Sequence, residues 1–328
     1  MKPLIPLGVV GGGAHAAVLA DHGVPLPQAR IARWAAGGDS RDRAAASALA
    51  EGLGVPFSAD WDAVVRDPAL RGILVLTPDR ARPAIVAAAL SAGKAVLCPA
   101  PAAENTDELG RIADARRRGG GVLMTGGALR HTPGGRTALA AVADGGLGAL
   151  QTVYVAVRLP RPDLAPDPRG VLDRVGWEVA DFLAAASAAP LVRVQALAGS
   201  LFDGGPEPDS AVLLLRFGGD VLATVELSRC LPRSLPTSVA DVEIELVGTG
   251  DAIHVDPYRT AVRVYRDEGS TPYPWVDAPI LSMVAELAAG IEEPAAVPDA
   301  LPALERTIQV MEAARGAIAR SVHREAAN

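Results

Sequence analysis

Aromatic residues supply only 4% of this 328-residue chain, and lysine is scarcer still, with Lys2 and Lys94 the only two. The chain has no basic run and no basic patch interleaved with aromatics, and its formal net charge is −7. Nucleic acid is therefore excluded as the expected partner. The two cysteines, Cys98 and Cys230, fit no metal-ligand spacing and are too few for a disulfide framework. No charged leader precedes an apolar core, and no apolar run reaches membrane-spanning length. The expected setting is the cytoplasm, with no membrane partner and no metal. What the chain has is 49% hydrophobic residues and 34 glycines. Its core must be built from Ala, Val and Leu, and its length leaves room for two domains.

The chain is organised around Leu4 to Ala20. A short apolar run leads into Gly11, Gly12 and Gly13, and an alanine-rich segment of helical composition follows. Strand, glycine turn and helix in that order, with Gly11-x-Gly13-x-x-Ala16, fit the dinucleotide fingerprint. Gly11 permits the tight turn, Gly13 lets the backbone approach a pyrophosphate, and Ala16 keeps the helix close to the strand. Ala14 and His15 open that helix, whose free N–H groups and positive dipole end suit an anion. Ala29–Ala36 reads as the second strand, followed by Asp39, Ser40 and Arg41. An acidic residue here binds a ribose 2′-hydroxyl, whereas an arginine accommodates a 2′-phosphate. Asp39 thus points to NAD, Ser40 and Arg41 point to NADP, and the cofactor stays NAD or NADP. Asp39 has a plainer alternative role, capping a helix over Ala44–Leu53.

Further along, Gly72–Thr77, Ala95–Cys98 and Val122–Thr125 read as strands. Helices at Arg43–Gly54, Pro83–Ala92 and Glu104–Arg118 alternate with them. This spacing predicts an α/β Rossmann domain with a parallel sheet over residues 1–126. Residues 127–328 change character. Strand-like runs at Leu150–Leu159, Val192–Ala198, Ala211–Phe217, Val221–Leu227, Val242–Val247 and Ala261–Tyr265 are joined by turns. Helices are expected at Val175–Ala186, Ile280–Gly290 and Pro302–Ala319. The pattern predicts an α+β domain with an open-faced, mostly antiparallel sheet, which binds substrate and mediates oligomerisation. A cleft at the domain junction is the expected small-molecule site.

These residues carry a resemblance. The fingerprint, Thr77-Pro78, Gly93-Lys94-Ala95-Val96-Leu97-Cys98, Asp144-Gly145-Gly146-Leu147-Gly148 and Gly248-Thr249-Gly250 resemble the glucose–fructose oxidoreductase / inositol dehydrogenase (Gfo/Idh/MocA) family over nearly the whole chain. The resemblance implies NAD(P)-dependent oxidation or reduction of a polar small molecule, sugar-like or a biosynthetic intermediate. It also implies a homodimer or homotetramer formed through the C-terminal sheet. Thr77, Pro78 and Pro99 are expected on the cofactor.

The family's proton-handling residues are replaced. Its Glu-Lys-Pro is Pro99-Ala100-Pro101 here, so the lysine is absent. Alignment on Gly176 and Asp181 puts Glu178 where the family has its histidine and Arg174 at the first acidic position. Arg82 stands at another histidine position, and Ala128-Leu129-Arg130 replaces Asn-Arg-Arg. The candidate catalytic set is Glu178 as acid or base, Arg82 and Arg130 as binders of an anion or substrate oxygen, and His131 as a proton donor. Each has a bland alternative: Glu178 paired with Arg174 one turn earlier, the arginines solvated. His15 is expected as a helix N-terminal residue and Cys98 as a buried small hydrophobe. A second reading keeps the scaffold but assigns it non-redox chemistry or ligand binding alone.

Overall fold

Continuous apolar runs such as Ile5–Val10 and Gly72–Val75 cannot sit on a half-solvated sheet, so they are buried on both faces by crossover helices. The computed structural model describes residues 3–21, 26, 28–77, 80–161, 169–202, 204–232, 240–257, 261–266, 269–274 and 279–325. The first half alternates strictly: β1 (Ile5–Val10), α1 (Ala14–Asp21), β2 (Ala29–Ala35), α2 (Ser40–Gly52), β3 (Phe57–Ser58), α3 (Trp61–Val65) and β4 (Gly72–Val75). There follow α4 (Arg82–Ser91), β5 (Ala95–Pro99), α5 (Thr106–Gly119) and β6 (Leu123–Gly126). The strands form one parallel sheet in the order β3-β2-β1-β4-β5-β6. The order reverses between β1 and β4, and ligands of such sheets bind beyond the carboxyl ends of the strands at that point.

The second half holds α6 (Ala128–His131), α7 (Pro133–Ala143), β7 (Leu150–Pro160), α8 (Val171–Ser187), β8 (Leu191–Gly199), β9 (Ser210–Phe217) and β10 (Leu222–Leu231). Next come β11 (Asp241–Gly248), β12 (Ala252–Val255), β13 (Ala261–Arg266), β14 (Gly269–Pro274), α9 (Pro279–Glu292) and α10 (Leu301–Glu325). The second sheet runs β12-β11-β7-β10-β9-β8, and only the β7–β10 pair is parallel. β13 and β14 form a separate hairpin. Period-two alternation puts Leu213, Leu215, Val225 and Leu227 on one face, against Val179 and Leu183 of α8 and Met311 of α10. The opposite face carries Leu197, Val212, Leu214 and Leu222, all exposed among the described residues. An α/β dinucleotide domain and an open-faced, mostly antiparallel sheet are what the sequence pattern predicts.

The chain divides into two compact units, Met1–Ala128 with Ala278–Glu305, and Leu129–Asp277 with Arg306–Asn328. The split at 126/127 read from the sequence puts everything after it in one domain, whereas α9 returns to the first unit. Its apolar stripe of Ile280, Met283, Val284, Leu287 and Ile291 completes the core that α1 and α2 build against Leu7, Leu74 and Leu97. The periodicity of α9 marks a buried stripe but not which sheet receives it. Helix α2 begins at Ser40, earlier than the expected Arg43, because Asp39 caps it there through the N–H of Asp42.

Candidate functional site

In the first unit the site is built on the glycine turn after β1. Gly11 has φ +110°, a region that disfavours side chains, and a Cβ there would lie 2.3 Å from the backbone nitrogen of Thr77. The polar groups of the turn are consumed internally. Gly11 donates to the carbonyl of Ala35 at 2.8 Å and accepts from the buried indole of Trp34 at 2.9 Å. Gly13 donates to the carbonyl of Leu76 at 3.2 Å. Ala14 and His15 open α1, where first-turn N–H groups of a helix lack an intrahelical carbonyl and can serve an anion. The glycines therefore shape the turn, and the helix behind it presents the donors. Ala16 is fully buried and allows α1 its close seat on the sheet.

Asp42, a residue not singled out in the sequence, organises this region. It is 5% exposed and occupies the first turn of α2. Its Oδ1 accepts the N–H of Gly12 at 2.8 Å, and its Oδ2 accepts those of Gly37 at 2.6 Å and Gly38 at 3.2 Å. The hydroxyl of Thr77 makes a longer contact with Oδ1, at 3.4 Å. The legible signal was Asp39-x-x-Asp42 at a helix start, the spacing of a capping box. Asp39 spends Oδ1 on the Asp42 N–H at 2.8 Å, whereas Ser40 and Arg41 stand exposed at the helix tip.

At the ends of β4 and β5, Arg82 is half-buried rather than solvated. Its Nε donates to the Thr77 carbonyl at 3.0 Å and its Nη1 to the Pro101 carbonyl at 2.7 Å, so it ties the two loops together. Pro99 is buried at the end of β5, and Pro78 lies outside the described residues. Burial, with a smaller contribution from the Arg82 charge, holds the imidazole of half-buried His15 below its ordinary pKa. Burial pushes the Cys98 thiol up to about 11, which makes it an inert apolar side chain at neutral pH. Lys94 is committed elsewhere. Its Nζ donates to the carbonyls of Asp67 at 2.6 Å and Leu70 at 2.8 Å, at the amino end of β5, opposite the cofactor end of the sheet.

The second unit brings the remaining candidates together. Glu178 and Asp181 lie three residues apart on α8, on one face of the helix. The Oε2 of Glu178 accepts the N–H of Leu129 at 3.1 Å, and Nε of Arg130 lies 3.0 Å from Oδ2 of buried Asp181. The short helix α6, which carries Leu129, Arg130 and His131, is thereby held against α8. Its fixed end follows from Thr132, whose hydroxyl caps α7 at the N–H of Gly135 and bonds the Leu129 carbonyl. Trp177 is buried, with the guanidinium of Arg315 5.2 Å from its ring centroid. Among the described residues no group of His, Cys, Asp and Glu could hold a metal, and no helix is long and apolar enough to cross a membrane.

Comparison with known proteins agrees with the fold. The model of an oxidoreductase family with an NAD-binding Rossmann fold matches residues 5–127, and that of the GFO/IDH/MocA C-terminal domain matches residues 136–254. D-xylose 1-dehydrogenase (NADP(+)) 2 of Haloferax volcanii is 30% identical over 270 residues, 80% of each chain. Inositol 2-dehydrogenase 2 of Saccharopolyspora erythraea is 32% identical over 126 residues, 38% of this chain and 36% of that one. Two solved structures share the fold. GenD2 from gentamicin A biosynthesis, in complex with NAD, has a TM-score of 0.78 at 22% identity and covers 97% of this chain and 95% of its own. Apo scyllo-inositol dehydrogenase from Lactobacillus casei has a TM-score of 0.80 at 17% identity and covers 98% and 97%. The chain belongs to the Gfo/Idh/MocA oxidoreductase family and is an NAD(P)-dependent oxidoreductase.

The lowered pKa of His15 has a consequence for stability. Below its ordinary value of about 6.5 the unfolded chain binds a proton that the folded chain refuses, so stability falls as pH drops through that value toward the folded pKa. An NMR titration should place His15 below the ordinary histidine value, and Arg82→Gln should raise it partway. A His15 pKa at or above the ordinary value would contradict the arrangement.

Proposed function

We propose that this chain is an NADP(H)-dependent dehydrogenase or reductase of a sugar-like hydroxyl or carbonyl, a biosynthetic intermediate among the possibilities, with Glu178 as its proton-transfer residue. The pairing of α6 with α8 supports the reading most. A carboxylate stands at the family's histidine position and is oriented by the Leu129 N–H, and beside it Asp181 holds Arg130. A named D-xylose dehydrogenase and a named inositol dehydrogenase among the relatives support the substrate class.

The residues present suit the cofactor. Ala14 and His15 offer N–H groups to the pyrophosphate, and Gly11 and Gly13 keep the turn low beneath it. Ser40 and Arg41, exposed at the α2 N-terminus, suit a 2′-phosphate, and Asp39 is occupied as the helix cap. This favours NADP(H) over NAD(H). When bound, the cofactor supplies the hydride acceptor or donor at its nicotinamide. Buried Pro99 and the Thr77 loop, braced by Arg82, would border the nicotinamide and keep water from it. In oxidation the carboxylate of Glu178 would take the substrate hydroxyl proton, and in reduction it would return one to the carbonyl oxygen. Arg130 steadies the negative charge that develops on that oxygen. Arg82, with Nε and Nη1 committed to two carbonyls, is assigned to positioning rather than to catalysis. His131 follows Arg130 on α6 and is kept as a second proton donor. Ala100, where the family has lysine, favours instead non-redox chemistry or ligand binding alone, and that is the competing reading.

The chain is expected to work as a cytoplasmic homodimer or homotetramer. The open face of the second sheet supports this: Leu197 is 69% exposed and Leu214 51%, beside an acidic cluster in which Arg158 bonds Glu226 at 3.1 Å and Asp241 at 3.1 Å. A second copy would bury this apolar patch and set its acidic side against Arg193 and Arg216.

Three outcomes are expected. Glu178→Gln lowers kcat by about 100-fold or more while NADPH affinity is kept, whereas unchanged turnover would remove Glu178 from the chemistry. Arg41→Ala weakens NADPH by about tenfold and leaves NADH nearly unaffected, and equal losses would end the 2′-phosphate assignment. Leu214→Glu converts the oligomer to monomer in light scattering, and an unchanged mass would place the interface elsewhere.

A further inference from the structure

Each strand of the first sheet that borders the crevice ends in its own loop. Backbone bonds from Gly11 to Ala35 and from Gly13 to Leu76 tie the β1 turn to the ends of β2 and β4, and a side chain joins the loops just beyond. The residues joining them are Gly12 after β1, Gly37 and Gly38 after β2, and Thr77 after β4. All four meet one side chain, the buried carboxylate of Asp42. We infer that Asp42 is a positioning residue whose carboxylate sets the register of these three loops and, through them, the affinity for the nicotinamide dinucleotide. The link to affinity rests on the cofactor reading above, and the coupling of the loops does not.

The chemistry of the group supports this role. An ionised carboxylate is acceptor-only, with about four lone-pair sites, and its partners here are three backbone N–H groups and a hydroxyl. An asparagine of the same size would turn its NH₂ toward at least one of those donors. An ordinary capping box satisfies only the N-terminus of its own helix. Here Oδ2 serves the approach to α2, but Oδ1 reaches Gly12, thirty residues away in the chain. The surroundings leave little slack. A Cβ on Gly12 would lie 2.5 Å from the Ala46 nitrogen, and one on Gly37 would lie 2.4 Å from the Thr77 Cβ. The loops are packed in contact, and the carboxylate sits where they converge. Two residues beyond Gly12 begin the α1 donors, Ala14 and His15. The two residues before Asp42 are Ser40 and Arg41. The groups assigned to the pyrophosphate and to the 2′-phosphate are thus fastened to the same side chain from opposite sides.

The test is hydrogen exchange on the nucleotide-free protein, paired with NADPH titration, for wild type, Asp42→Asn and the cap control Asp39→Ala. Asp42→Asn should speed exchange together in the segments around Gly12, around Gly37 and at Thr77, and weaken NADPH by about tenfold or more, the loss of one or two buried hydrogen bonds. Asp39→Ala should loosen only the start of α2. Faster exchange confined to α2 in Asp42→Asn, with NADPH affinity within about twofold of wild type, would overturn the inference and leave Asp42 a helix cap. Should Asp42→Asn not fold, wild-type NMR exchange decides the matter. The Gly12, Gly37 and Gly38 amides should open in one shared event, and unrelated rates would overturn it. Wild-type protein that binds no NADPH would remove the cofactor reading and the affinity link, while the exchange data alone would still decide the coupling.

Discussion

The closeness of the β1 turn to Thr77 is the constraint on which most of this structure depends. A single carbon added to Gly11 would fall 2.3 Å from the Thr77 nitrogen, and one added to Gly37 would fall 2.4 Å from the Thr77 Cβ. Loops so near one another cannot admit water to their backbone groups, so each buried N–H needs a protein acceptor. Leu76 and Ala35 supply carbonyls, and Asp42 supplies the carboxylate. The same economy leaves the first turn of α1 as the place where uncommitted donors face outward. The dinucleotide cradle is thus a rigid, internally satisfied turn with a helix end behind it.

On the proposed reading, in which the family's lysine and histidine are replaced, the charged groups that remain are each engaged. Lys94 is engaged at the far end of β5 by two carbonyls. On α8, Glu178 and Asp181 hold α6 by a backbone N–H and by a guanidinium. On that reading, a carboxylate with one oxygen bonded to an amide is oriented for proton transfer, and the neighbouring arginine would supply the positive charge that a lysine would otherwise bring. The price of this substitution is carried by Arg130, whose charge is shared with Asp181.

Much of the fold was legible because long parallel strands announce themselves as unbroken apolar runs bounded by Gly and Pro. Gly11, Ala16 and the open-faced sheet could be read for that reason, and Glu178 was singled out only through the family resemblance, aligned on Gly176 and Asp181. The rest was hidden for physical causes. The stripe on α9 states that the helix is buried, but both sheets need a cover. Asp42 lies in a string of polar and small residues, where a helix-start aspartate has an ordinary capping role. Only the convergence of three loops reveals its four partners, Gly12, Gly37, Gly38 and Thr77. Arg82 reads as a surface arginine until Thr77 and Pro101, nineteen residues apart from it at most, are seen to meet its guanidinium.

The most direct test of the account is a fluorescence titration of folded, nucleotide-free protein with NADPH. The account predicts saturable binding of one equivalent per chain, reversed by excess NADP⁺ and abolished when Ala16, the fully buried residue that seats α1, is replaced by tryptophan in a chain that remains folded. No saturable binding to the wild-type chain would contradict it, and the glycine turn would then be a feature of the scaffold alone.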